Sequence, residues 1–139
     1  MKKFWQIVSK KDLIFGIIVF SLVILISFKP SNKVRFSFAE DSVDIRSTKY
    51  SMNIPYDMVE SLELVSKPDM GIEIDGYTDN IIANGLWENE AWGEYTCCLE
   101  VYTDNCILVH LTDGRLFVLS RRDNEETQKV YEEFLTYLN

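Results

Sequence analysis

Between Tyr95 and Leu138 the sequence allows few structures, because side-chain alternation, turn chemistry and a helix cap agree there. Tyr95, Cys97, Leu99 and Val101 alternate with Thr96, Cys98 and Glu100, the period of a strand. Cys106 to Leu111 and Leu116 to Ser120 are apolar at nearly every position, which suits strands covered on both faces. Asp113-Gly114 between them fits a two-residue turn whose central residues need positive φ. Thr103-Asp104-Asn105 is a weaker turn of the same kind, so the three strands read as a meander. After Ser120 the alternation stops. Asp123 followed three residues later by Glu126 marks a helix start, with acids favoured at the positive helix end. Val130, Phe134 and Leu138, flanked by Tyr131 and Leu135, then form one apolar stripe along a helix over residues 124–138.

The net charge of −8 conceals a division. Residues 1–35 hold seven Lys/Arg against one Asp, whereas residues 36–139 hold seven against 21 acids. A domain that acidic repels phosphate backbones, so nucleic acid is excluded as a partner. Once a membrane segment is subtracted, 139 residues suffice for one core. Cys97, Cys98 and Cys106 lack metal spacing, and strand neighbours face opposite ways, so free thiols acting as small apolar residues are expected.

Residues 1–12 carry Lys2, Lys3, Lys10 and Lys11 with Phe4, Trp5 and Val8 on one helical face, an interfacial pattern. Residues 13–28 run sixteen positions without a charge and read as a single transmembrane helix, short enough to need snorkelling by Lys11 and Lys29. A tether over 29–32 follows. The competing reading is a cleaved signal peptide, since Ser37-Phe38-Ala39 offers small residues, but eleven residues separate Phe28 from a cut after Ala39. The slight excess of basic residues before the helix orients the N-terminus inward, which puts the chain in the cell membrane with its domain on the extracytoplasmic side.

The domain, residues 33–139, opens with a hairpin in which Val34, Phe36 and Phe38, then Val43 and Ile45, alternate about Ala39-Glu40-Asp41. Tyr50, Met52 and Ile54 continue the period until Pro55, and residues 58–65 form a fourth strand after the turn Pro55-Tyr56-Asp57. Lys67 to Gly71 is a loop. Ile72 and Ile74 make a short strand that Asp75-Gly76 ends. Residues 77–94 read either as an added edge strand around Ile81-Ile82 or as a functional loop. Trp87 and Trp92 in this stretch are the candidate interaction surface, because exposed tryptophans are favoured in binding hot spots. The alternative is that both pack inward.

Ile54-Pro55-Tyr56-Asp57-Met58-Val59-Glu60-Ser61-Leu62, the segment Gly71 to Gly76, Gly93-Glu94-Tyr95 and Thr112-Asp113-Gly114-Arg115-Leu116-Phe117-Val118-Leu119-Ser120, set in this order of elements, resemble the bacterial pleckstrin-homology-like domains found behind transmembrane helices. The resemblance implies a mainly β domain with a C-terminal α-helix, a bent barrel or orthogonal sandwich of about seven strands with the helix plugging one open end. Relatives in eukaryotes bind phosphoinositides through basic residues near the first hairpin loop. Here that loop is the acidic Ala39-Glu40-Asp41, so phosphoinositide binding is not expected.

His110, the only histidine, has no nucleophile motif and no second histidine beside it. Asp75 to Asn80 cluster oxygen donors without the spacing of a calcium hand. No catalytic, metal or cofactor residues are therefore expected, and no enzyme. The function that follows is a membrane-anchored protein-interaction or assembly module with an unidentified protein partner. The alternative is an accessory subunit that associates through its transmembrane helix, with the domain structural.

Overall fold

The computed structural model describes residues 9–27 and 33–139, without the side chains of 25–27. The expected interfacial N-terminus up to Val8, Phe28 and the tether over 29–32 lie outside these residues. The chain divides into two units, residues 1–31 and 32–139.

The first unit contains helix α1, Lys10–Ser27. Its start is a reciprocal cap: the Ser9 amide and hydroxyl donate to the Asp12 carboxylate at 3.2 and 2.7 Å, and the Asp12 amide donates to Ser9 Oγ at 3.2 Å. Leu13, Phe15, Ile18, Phe20 and Leu22 are all exposed, so apolar groups surround the helix rather than forming a stripe. Among the described residues no helix is long and apolar enough to cross a membrane. Eighteen residues rise about 27 Å, and Lys10, Lys11 and Asp12 occupy the first turn.

The second unit has nine strands in two sheets, not about seven, and no closed barrel. Strands β1 (Arg35–Phe38), β2 (Ser42–Ser47) and β3 (Tyr50–Pro55) form an antiparallel three-strand sheet, as the alternation predicts. After a 3-10 turn at Tyr56–Met58, strands β4 (Val59–Ser66), β5 (Ile72–Thr78), β6 (Ile82–Asn89), β7 (Gly93–Glu100), β8 (Asn105–Leu111) and β9 (Leu116–Leu119) form a six-strand sheet in the order β4-β8-β9-β7-β6-β5.

Two expectations fail here. Residues 95–119 are not a meander, since β9 lies between β7 and β8, parallel to the first and antiparallel to the second. The segment 101–104 is thus no hairpin turn but a step across the end of β9, two strand spacings or about 10 Å. Of the two readings of residues 77–94 the strand holds, as β6 over Ile82–Asn89, but it lies inside the sheet and β5 is the edge. Strand β5 continues through Asp75-Gly76 because a bulge between Glu73 and Asp75 breaks its alternation while keeping its pairing with β6. Gly76 opposes Gly85, where a Cβ on Gly85 (φ 96°) would lie 2.4 Å from the Asp75 carbonyl oxygen. That close approach hides the hairpin from a hydrophobic-period reading.

The connection from β4 to β5 joins the two edges of the six-strand sheet. Ser66 to Ile72 is six residue steps, a reach of about 20 Å, whereas five spacings of a flat sheet come to about 24 Å. The sheet is therefore curled, and Lys67–Gly71 crosses its concave face as a strap. Lys67 N donates to Asp104 O at 2.7 Å and its Nζ to Val101 O at 2.8 Å, at one end of the strands. Tyr95 OH donates to Met70 O at 2.5 Å and Asn89 Nδ2 to Asp69 O at 3.0 Å, at the other.

Strict period-2 alternation divides the interior into two cores. On one face Ile107, Val109, Leu111, Phe117, Leu119 and Cys98 meet Val43, Ile45 and Ile54 of the small sheet and Phe134 of helix α2 (Asn124–Leu138). On the other, Ala83, Trp87, Tyr95, Cys97, Leu99, Cys106, Leu108 and Val118 fill the curl beneath the strap. Helix α2 has the expected bounds, with Asp123 accepting from the Glu126 amide at 2.8 Å. Phe134 is fully buried, edge-on to Phe38 and Tyr56.

Candidate functional site

The residues singled out from sequence are dispersed. Trp87, on β6, is 9% exposed, and its indole donates to Asn84 O at 3.3 Å. Trp92, in the β6–β7 turn, is half-buried edge-on to Tyr95, ring centres 5.2 Å apart. Trp87 belongs to the core of the curled sheet, and Trp92 packs against that core from the turn while staying partly exposed. His110 stands half-exposed at the sheet rim, 3.5 Å from Glu63. Asp79 spends its carboxylate on the amides of Ile81 and Ile82, at 2.7 and 2.8 Å, and on Tyr77 OH, which holds its pKa low and closes the β5–β6 turn. Among the described residues no group of acidic, His and Cys side chains could hold a metal.

The thiols are as expected. Cys98 faces one core, Cys97 and Cys106 the other, and all three are free and buried. Burial pushes the pKa of Cys98 and Cys106 to about 11 and that of Cys97 higher, so thiolate chemistry is suppressed.

A different site emerges where the chain enters the domain. Val34 is fully buried between two side chains: its amide bonds to the Glu100 carboxylate, and its carbonyl accepts from Arg121 Nη1. Glu100 ends β7 with 3% exposure, and its Oε2 has no hydrogen-bond partner among the described residues. Burial raises its pKa, opposed by the charges of Arg121, Lys33 and Arg122 and by the Val34 amide. Ser120 Oγ accepts from Glu100 N at 3.1 Å and donates to Glu100 O at 3.2 Å, so the end of β9 is stitched to the same residue.

Helix α2 is fastened at this pole too. Asn124 Oδ1 accepts from Thr103 Oγ1, Asp104 N and Asn105 N at 2.9, 3.1 and 3.0 Å. The β2–β3 turn joins through buried Asn84, whose Nδ2 donates to Ser47 Oγ at 2.8 Å and Thr48 O at 2.9 Å. The entry pole is thus a clasp that ties Val34 to the ends of β7, β9 and α2. Sequence reading missed it because Glu100 and Arg121 look like ordinary charged flanks of two strands. The only signal was an acid inside an otherwise apolar alternation, Cys97 to Val101.

No family model matches the chain, and no curated protein and no solved structure matches it. What the coordinates define is a class of architecture: a mainly β domain of two sheets with a C-terminal helix, preceded in the chain by an apolar helix.

Proposed function

We propose that this chain is a membrane-anchored interaction module, in which the uncharged stretch 13–28 lies in a bilayer and the β-rich domain engages a protein partner. A helix apolar on every side is costly in water and at ease in lipid, which is what supports the anchor. The observation that carries the interaction reading is the open edge of the six-strand sheet. Strand β5 pairs on one side only among the described residues, and Ile72 and Ile74 on it are 73% and 46% exposed. Natural edges are normally blunted by charge, bulges, Pro or cover, and although Glu73, Asp75 and the bulge between them protect part of β5, its exposed Ile72 and Ile74 leave an apolar stretch suited to receiving another strand.

A benzophenone amino acid placed at Ile72 of the full chain in native membranes tests this. The reading expects a discrete adduct that the same probe at the exposed Glu132 does not give. Equal, diffuse labelling at both positions would leave the edge without a partner.

The accessory-subunit reading would place its helix contact at Gly16, the glycine within α1, since a small residue lets a second helix approach closely. Replacing α1 with an unrelated apolar helix should abolish assembly under that reading and preserve it under the first.

A further inference from the structure

The acidic composition of the domain conceals a segregation of charge. Of the nine Lys/Arg in residues 33–139, seven lie at the entry pole. Lys33 and Arg122 act on Glu100 together with Arg121. Arg35 opposes Arg46 directly across β1 and β2, one residue from the Ser47 that Asn84 holds. Lys49, in the adjoining turn, lies over the Tyr77 ring, and Lys67 reaches Val101 O.

Several acids of this pole are spent locally. Glu100 is buried, Asp79 is bound by amides, Asp123 caps α2 while lying 3.6 Å from Arg122, and Glu125 and Glu126 in the first turn of α2 lie 3.2 and 3.8 Å from Lys129. Asp104 is exposed. Tyr102 and Ile81, 75% and 41% exposed, stand among the basic residues, joined through the bond from Val101 N to Ile81 O. At the far pole Glu40, Asp41, Asp57, Glu88, Glu90, Glu94 and Asp113 are exposed, and the basic residue there, Arg115, is paired with Asp113 at 2.8 Å.

We infer that the entry pole is a docking surface for anionic lipid headgroups, with Lys33, Arg46 and Arg122 facing phosphates and Tyr102 and Ile81 entering the interfacial layer. Basic side chains near an anionic leaflet are attracted and tyrosines favour that depth. Six residue steps separate Ser27 from Lys33, a reach of at most about 21 Å, so a bilayer holding α1 is within range of this pole. The rest of the domain, where acids outnumber basic residues, is repelled by the same leaflet, and both forces turn the domain the same way. The inference rests on the anchor reading above.

The test uses the full chain in lipid nanodiscs of phosphatidylcholine, alone or mixed with phosphatidylglycerol. The native thiols are buried, so a single cysteine introduced by Asn80→Cys at the entry pole or Thr112→Cys at the far pole takes a fluorophore selectively, and a nitroxide lipid quenches it. Strong quenching of the residue-80 label in anionic discs alone, none of the residue-112 label, is the expected result. Lys33→Glu with Arg122→Glu should lower the docked-to-free ratio by at least about tenfold, since each basic side chain near an anionic surface contributes roughly a factor of five. Equal quenching in both lipids, quenching of the far pole, or indifference to the charge reversals overturns the inference. Failure of the anchor looks different: alkaline carbonate would strip the chain from membranes, and neither label would be quenched in any disc.

Discussion

Phe134→Ala is the substitution whose cost is best defined. The ring is fully buried where α2 crosses β8 and β4, with Phe38 and Tyr56 edge-on at centroid distances of 5.7 and 6.2 Å. Removing it forfeits the transfer energy of a whole aromatic side chain and leaves a cavity walled by β-strands that cannot collapse, a loss of about 3–5 kcal/mol. A domain of this size has about 5–15 kcal/mol in total, and each kcal/mol moves its midpoint by roughly 4–6 °C, so melting should fall by roughly 15–25 °C. Near-ultraviolet circular dichroism of the full chain in detergent reads this from the aromatic cluster itself. Tyr137→Ala is the control. Tyr137 is 40% exposed and stacked on Phe38 and Tyr56 at 5.2 and 5.4 Å, so its loss should cost only about 1 kcal/mol. A Phe134→Ala melt within a few degrees of that control would refute the packing of α2 as the cover of this core.

Glu100→Gln should change the pH dependence of stability rather than the fold. The folded pKa of Glu100 is raised, so the fold holds its proton more tightly than the unfolded chain, and the stability this group permits is greatest below about pH 4 and declines as pH rises through the raised value. Gln keeps the shape without the charge, so the two proteins should melt alike near pH 4 and the variant should melt higher near pH 8. A variant less stable near pH 8 would mean that attraction to Arg121 outweighs burial. Gly85→Ala should destabilise far more than Gly93→Ala, because both need positive φ, at about 1–2 kcal/mol, but only at Gly85 does the new Cβ strike backbone. Equal urea midpoints for the two variants would refute the close β5–β6 approach.

The sequence made legible whatever depends on neighbours a few positions away. The turn at Asp113-Gly114 falls where that pair predicts it but is longer than two residues, closed by Gly114 N on Leu111 O and Leu111 N on Arg115 O, with only Gly114 of the pair at positive φ. The Asp123 cap, the stripe ending at Leu138 and the opposed faces of Cys97 and Cys98 all follow from local periods. Pairing partners did not. Four residues between β7 and β8 look like a hairpin turn, and nothing within them says that Leu116–Leu119 will enter between. The bulge at Glu73/Asp75 and the facing glycines masked the extent of a hairpin of which the sequence offered only a strand around Ile81-Ile82 as one of two readings. Trp87 is buried because its side of β6 faces the inside of the curl, a property of the whole sheet, while Trp92 packs half-buried from the β6–β7 turn against Tyr95. The charged clasp was hidden for the same reason: Val34, Glu100 and Arg121 are brought together only by the tertiary fold.

The insertion of β9 also bears on how the domain is made. While the chain is synthesised, β7 and β8 exist before the strand that must fill the slot between them, so neither can complete its ladder and the curl beneath the strap cannot close. Folding of this sheet therefore waits for almost the entire domain, a late and non-local step that leaves apolar β8 unpaired along one edge in the meantime. A nascent chain stalled before Leu116 should behave as a sticky, protease-sensitive intermediate, and one stalled after the closing helix should not.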